Sequence, residues 1–86
     1  MKFGIYSVRD TATGTYNAPF IAQTNAQAMR QFGDLAQEQN TNVNKHPDDF
    51  ELFLVGTWDD DTSLLDNHEP QKLAIARDYN NEQTST

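Results

Sequence analysis

Cysteine is absent from the chain. Neither disulfides nor thiolate metal sites can therefore reinforce its core, an absence that accords with a reducing cytoplasm. Cations are scarce: six Lys and Arg stand against thirteen Asp and Glu, for a net charge of −7. A generic polyanion binder shows the reverse balance, because nonspecific DNA affinity comes from Lys and Arg displacing counterions from phosphates. Any phosphate-binding patch must then be local and small, while the overall charge favours solubility. No run of ~18 apolar residues occurs, so neither a membrane-spanning helix nor a membrane partner is expected. The first ten residues, MKFGIYSVRD, lack an apolar h-region and read as a strand rather than a signal peptide. Glycine-rich phosphate loops of the G-x-x-x-x-G-K-[ST] and G-x-G-x-x-G types are missing, so no nucleotide cofactor is expected. Ser7, Ser63 and Ser85 lie in no G-x-S-x-G elbow, and the chain reads as not an enzyme.

What remains is a short chain with clear local signals. Its 86 residues make one domain, expected over residues 1–79, with 80–86 as a polar, frayed tail. A domain of this size buries only about 60–65% of the surface its unfolded chain exposes, so stability is modest. Residues 2–9 read as a strand, with Phe3, Ile5 and Ser7 on one face and Gly4, Tyr6 and Val8 on the other. A turn follows, opened by Asp10 and using Gly14 at positive φ. Residues 15–16 and 20–22 return as an irregular strand, and Pro19 makes it an edge strand or a bulged one because proline lacks the ladder N–H.

The strongest helix signal comes next. Thr24 and Gln27 form a T-x-x-Q capping box. Ala26, Ala28, Met29, Phe32, Gly33, Leu35 and Ala36 then fall on one half of a helical wheel, with polar residues opposite. The helix is expected to end near Asn40. Arg30 and Asp34 are one turn apart and placed to pair, for a few tenths of a kcal/mol. Gly33 costs about 1 kcal/mol against Ala in a helix, which suggests a close approach to the sheet. Residues 40–45 read as an asparagine-rich loop.

Residues 46–63, HPDDFELFLVGTWDDDTS, are the densest stretch, with five aspartates and the only tryptophan. HPDDF reads as a single helical turn with Pro47 at its first position, Asp48 and Asp49 at its N-terminus and Phe50 inward. ELFLVGTW is the clearest strand, DDDTS a turn, and 63–67 a short hairpin partner. H-x-D-D lacks the i, i+4 spacing of two-histidine zinc motifs. Asp59, Asp60 and Asp61 lack the D-x-D-x-D-G loop of a calcium site. Helix cap plus hairpin turn is the better reading, and no metal is expected. Likewise His68 reads as a surface histidine. In residues 69–79, EPQKLAIARDY, LAIA suits either a strand or a helix; a short helix is favoured.

The fold class is α+β: a small antiparallel sheet of about three to four strands on one main helix, with a short C-terminal helical segment. One helix covers one side of a sheet. Yet the main strand is apolar on both faces, with Phe53 and Val55 on one and Leu52, Leu54 and Trp58 on the other. The uncovered face needs a partner. A second subunit is the favoured cover, making a homo-oligomer; the chain's own C-terminal segment or single-stranded DNA would also serve. In the last case Tyr6, Tyr16 or Trp58 would stack bases, and Lys2, Arg9, Lys45, Lys72 and Arg77 would meet phosphates.

The order of landmarks resembles a known family. APF at 18–20, QTNAQAMRQF at 23–32, HPDDFELFLVGTWDDDTS at 46–63 and EPQKLAIARDY at 69–79 are similar to the small nonstructural protein of gokushovirus-type microviruses. These are single-stranded DNA bacteriophages. HPDDF followed by GTWDD carries most of the likeness. The turn departs from it: a glycine would be expected after Thr62, where this chain has Ser63. The resemblance implies a DNA-binding protein that acts in single-stranded genome synthesis in the host cell cytoplasm. The alternative reading is an adaptor for the phage replication initiator, the procapsid or a host replication factor, which an acidic surface and a self-associating sheet suit better. Pro19, Phe20, Pro47, Asp48, Phe50 and Gly56, which carry motif positions, read as fold determinants.

Overall fold

A computed structural model describes residues 1–79; the tail expected at 80–86 lies outside the described residues. Alternation in the first strand places the sheet. β1 (Lys2–Asp10) pairs antiparallel with β2 (Thr15–Tyr16) and β3 (Phe20–Ala22) along one edge. Its other edge pairs antiparallel with β4 (Phe50–Asp59), which in turn pairs with β5 (Leu65–Ile75). Gly14 closes the first turn at φ 75°, and Asp10 Oδ1 accepts the Ala12 N–H at 3.0 Å. Pro19 sits at the break between β2 and β3, where no ladder N–H is required.

α1 (Asn25–Gln37) starts where the capping box puts it. The Gln27 N–H donates to Thr24 Oγ1 at 3.1 Å, and Gln27 Oε1 accepts the Gln23 N–H at 3.1 Å. Ala28, Phe32 and Ala36 face the sheet and form the core with Tyr6, Val8, Phe50 and Leu52. The helix ends at Gln37, short of Asn40: the chain turns extended at Glu38, with φ −77° and ψ 121°, and Asn40 then turns left-handed at φ 73°. The Leu35 carbonyl accepts the Glu38 N–H at 3.2 Å, and the Thr41 hydroxyl lies within hydrogen-bond distance of both the Leu35 and Glu38 carbonyls at this helix end.

Two expectations are corrected. The helical turn falls at α2 (Asn42–Lys45) and not at HPDDF. Thr41 caps it by accepting the Asn44 N–H at 3.1 Å, and the Asn44 side chain is tied to the Ala36 carbonyl at 2.8 Å. Pro47 disfavours helical geometry at the residue before it; His46 takes φ −130°, ψ 61°, and the helix stops. Residues 47–49 form a plain turn, and Phe50 is buried as expected.

The second correction concerns residues 69–79. The hairpin partner does not stop at Asn67 but continues as strand to Ile75; only residues 76–79 are helical. β4 leaves a long edge that needs a ladder, and the pairings Leu52 with Ala74 and Glu51 with Ile75 satisfy it. Pro70 fits because β5 is an edge strand and its register shifts between the Leu54–Gln71 and Gly56–Asn67 pairs. The helical turn then seats Ala76 in the core and the Tyr79 ring against α1. Gly33 does permit a close approach, but to Tyr79 rather than to the sheet.

Candidate nucleic-acid interface

Strand alternation and one bulge decide which side chains share the face away from α1. In β1 that face carries Phe3, Ile5, Ser7 and Arg9, since Tyr6 and Val8 point to the helix. Ser7 pairs with Phe53, but Ile5 pairs with Gly56 and Phe3 with Trp58. Val55 is the extra residue between the Tyr6–Leu54 and Ile5–Gly56 pairs. A one-residue bulge switches every later side chain to the opposite face. Trp58 therefore joins Phe53 on the open face, not Leu52 and Leu54 beneath the helix. Sequence alternation alone assigned it to the wrong side.

Two aromatic clusters result. Phe3 and Trp58 lie with ring centroids 5.7 Å apart, and the Trp58 Nε1–H donates to Ser63 Oγ at 3.3 Å. Tyr16 meets Phe53 edge-on, with centroids 5.7 Å apart at 71°. The Arg9 guanidinium carbon sits 5.7 Å from the centre of the Tyr16 ring, a geometry that attracts a cation to the ring quadrupole. An apolar cleft of about 280 Å³ lies between Tyr16, Pro19, Val55 and Pro70. Ile21, opposite Ile5, is 50% exposed, and Leu65, opposite Trp58, is 68% exposed. The described C-terminal residues pack on the helix side and leave this face open.

Charge on the face is selective. Arg9 lies opposite Glu51 in the β1–β4 register, yet the Glu51 carboxylate pairs with Lys72 at 3.1 Å. Arg9 makes no ion pair among the described residues, and its buried Nε has no hydrogen-bond partner among them. Buried donors are ordinarily satisfied.

Of the eight residues expected to contact DNA, Arg9, Tyr16, Trp58 and Lys72 share the open face. Tyr6 does not. It is 1% exposed, its hydroxyl donates to Asn25 Oδ1 at 2.7 Å, and burial raises its pKa above the ordinary 10.0. No base can reach that ring. Lys2 is at the far end of β1, alternating onto the helix side, Lys45 is in α2, and Arg77 pairs with Asp48 at 3.4 Å. Phe3, Phe53 and Ile21 complete the face and were missing from the expected set; the i, i+2 spacing of Phe3, Ile5 and Ser7 was the available signal.

The acidic run serves the hairpin turn. Asp59 Oδ1 accepts the Asp61 N–H at 2.9 Å, which, with the nearby terminal amine, holds the Asp59 carboxyl below its ordinary 3.8. The terminal ammonium donates to Asp60 Oδ1 at 2.9 Å, and that bond raises the amine above its ordinary 8.0. A family model described as phage ORF5 protein matches residues 3–79. No curated protein and no solved structure matches.

Proposed function

Because the chain belongs to the phage ORF5 protein family, we propose that it is a nonstructural, non-enzymatic protein of a gokushovirus-type microvirus that binds single-stranded DNA in the host cell cytoplasm during genome synthesis. One observation carries this reading. Arg9 lies over Tyr16 on an open, aromatic sheet face and has no carboxylate partner among the described residues. Bases stacking on Tyr16 and on the Phe3–Trp58 pair would bind without sequence preference, at ~1–3 kcal/mol per base. A phosphate bridging two stacked bases would fall to Arg9, with Lys72 beside it if its bond to Glu51 opens. No cofactor is required.

Titration of labelled single-stranded oligonucleotides by fluorescence anisotropy, across a range of salt, tests the reading. Micromolar binding is expected, with a log–log salt slope of about −1.4 if Arg9 and Lys72 each neutralise one phosphate. Tyr16→Ala is expected to weaken it by ~1–3 kcal/mol, and Lys45→Ala to leave it unchanged. Absence of binding at low salt would sink the DNA reading.

The second reading is an adaptor for the phage replication initiator, the procapsid or a host replication factor. The net charge of −7 and the capture of Lys72 and Arg77 by Glu51 and Asp48 favour it. Self-association belongs to both readings, because the open face and the outer edge of β5 each offer a surface that a second copy can cover. A defined protein partner retained after nuclease treatment would select the adaptor.

A further inference from the structure

The helix side of the molecule carries a second, chemically different surface. Between α1 and the β1–β3 ladder runs a groove of about 380 Å³. Val8, Phe20, Phe32 and Leu35 form its apolar walls, with Asp34 and Glu38 at its margin. Its volume is at the small end of ligand sites, roughly 300–1,000 Å³, with room for one or two side chains. Phe20 and Leu35 are only half-buried, so their apolar surface is left against water.

The charge at the margin is uncompensated. Asp34 and Glu38 are exposed, stand one turn apart on the same face, and make no ion pair among the described residues. Arg30, one turn before Asp34, was expected to pair with it and does not. Like charges at i, i+4 repel. Asp34 lies in the last turn of α1 and Glu38 at its C-cap, where the helix dipole is negative, and the last turn holds no basic residue. The helix would be locally more stable with neutral or basic residues at both positions. A cation docked there would meet two carboxylates and the negative helix end together.

We propose that this groove docks a basic segment of a partner protein, inserting an apolar side chain between Phe20 and Leu35 and setting flanking Lys or Arg against Asp34 and Glu38. Nucleic acid is the wrong chemistry for it, since phosphates are repelled by the same two carboxylates. The inference does not rest on DNA binding at the opposite face.

The test is a titration followed by amide NMR shifts, using a synthetic peptide of about twelve residues in which Lys alternates with Leu and Phe. Two control peptides replace Lys by Glu, or Leu and Phe by Ser. Shifts are expected at the amides of the groove residues with the Lys/Leu/Phe peptide alone. Asp34→Asn with Glu38→Gln is expected to weaken binding about tenfold, the size of two partly exposed ion pairs together. The same double variant should keep or raise the melting temperature, which separates lost docking from lost folding. Equal binding by the Glu peptide, undiminished binding by the double variant, shifts confined to the open sheet face, or no binding at low salt would overturn the proposal. So would groove shifts that follow protein concentration alone, which would make a second copy the occupant. Loss of oligonucleotide binding in Tyr16→Ala with peptide binding intact would separate the two faces.

Discussion

Adding one methyl group at Gly33 should change sign with its neighbour. A Cβ on Gly33 would lie 2.7 Å from Cδ1 and 2.8 Å from Cε1 of Tyr79. Tyr79 is not free to swing aside without loss, because its ring meets Phe32 edge-on with centroids 6.0 Å apart. In an unobstructed helix interior, Gly→Ala stabilises by about 0.8–1.0 kcal/mol. Overpacking of this kind costs roughly 1–3 kcal/mol, so Gly33→Ala should leave the protein about 0–2 kcal/mol less stable. In a Tyr79→Ala background the obstruction is gone. There Gly33→Ala should stabilise by about 1 kcal/mol, which makes the coupling between the two sites roughly 1–3 kcal/mol, within the range for residues in contact. Urea unfolding of the four proteins, followed by far-UV circular dichroism, measures it. In a domain this small, 1 kcal/mol is also about 4–8 °C in melting temperature. Equal effects of Gly33→Ala in both backgrounds would refute the docking of residues 76–79 on α1. Stabilisation in the wild-type background would do so as well.

Two further outcomes follow from local geometry. Tyr6→Phe removes the 2.7 Å bond to Asn25 Oδ1 and should cost about 1 kcal/mol at neutral pH. Burial raises the Tyr6 pKa above 10.0, so its contribution is complete below the unfolded value and is lost as pH rises through the folded one. Wild-type stability should therefore fall more steeply above pH 10.0 than that of Tyr6→Phe, and parallel curves would contradict this. Ser63 is held at φ 61°, a conformation that costs an L-residue roughly 1–2 kcal/mol. Ser63→Gly relieves that strain but forfeits the exposed 3.3 Å bond from Trp58 and adds about 0.4–1 kcal/mol of unfolded-state entropy, so the net change should be about zero to 1 kcal/mol in its favour. Ser63→Val, β-branched at positive φ, should lower the melting temperature clearly; the reverse order would show that this turn is not as described.

Features fixed by neighbours in the chain were legible in the sequence. The Thr24–Gln27 box, the alternation of β1 and the Asp10–Gly14 turn each depend on a few adjacent residues, and each lies where its pattern put it. What escaped depends on partners far along the chain. Val55 becomes a bulge because β1 pairs with residues on either side of it, and within FLVGTW only Gly56, a residue type that often accompanies bulges, marks the slip that carries Trp58 across the sheet. LAIA has no strong preference of its own; the unpaired edge of β4 makes its first three residues strand, and Ala76 starts the helical turn. The turn at 42–45 had a signal in Thr41, hidden among asparagines that suit loops equally well. For the candidate interface, alternation puts Tyr6 and Arg9 on opposite faces of β1 but does not say which of those faces α1 covers, so Tyr6 entered the expected set beside Arg9 and Tyr16.

Net charge was the least informative of the global properties, because it sums surfaces that behave oppositely. Four of the carboxylates are engaged by cations within the described residues: Glu51 by Lys72, Asp48 by Arg77, and Asp59 and Asp60 by the terminal amine. What each surface offers a partner is set by the charges left over. On the open sheet that remainder is Arg9 over Tyr16, in an aromatic setting. Beside the α1 groove it is Asp34 and Glu38, in an aliphatic and aromatic one. An anion is drawn to the first and repelled by the second, and a basic peptide the reverse. The acidic balance of the chain therefore argues against a broad polyanion-binding surface. It leaves room for a narrow one, on which stacking supplies most of the affinity and a single arginine places the backbone.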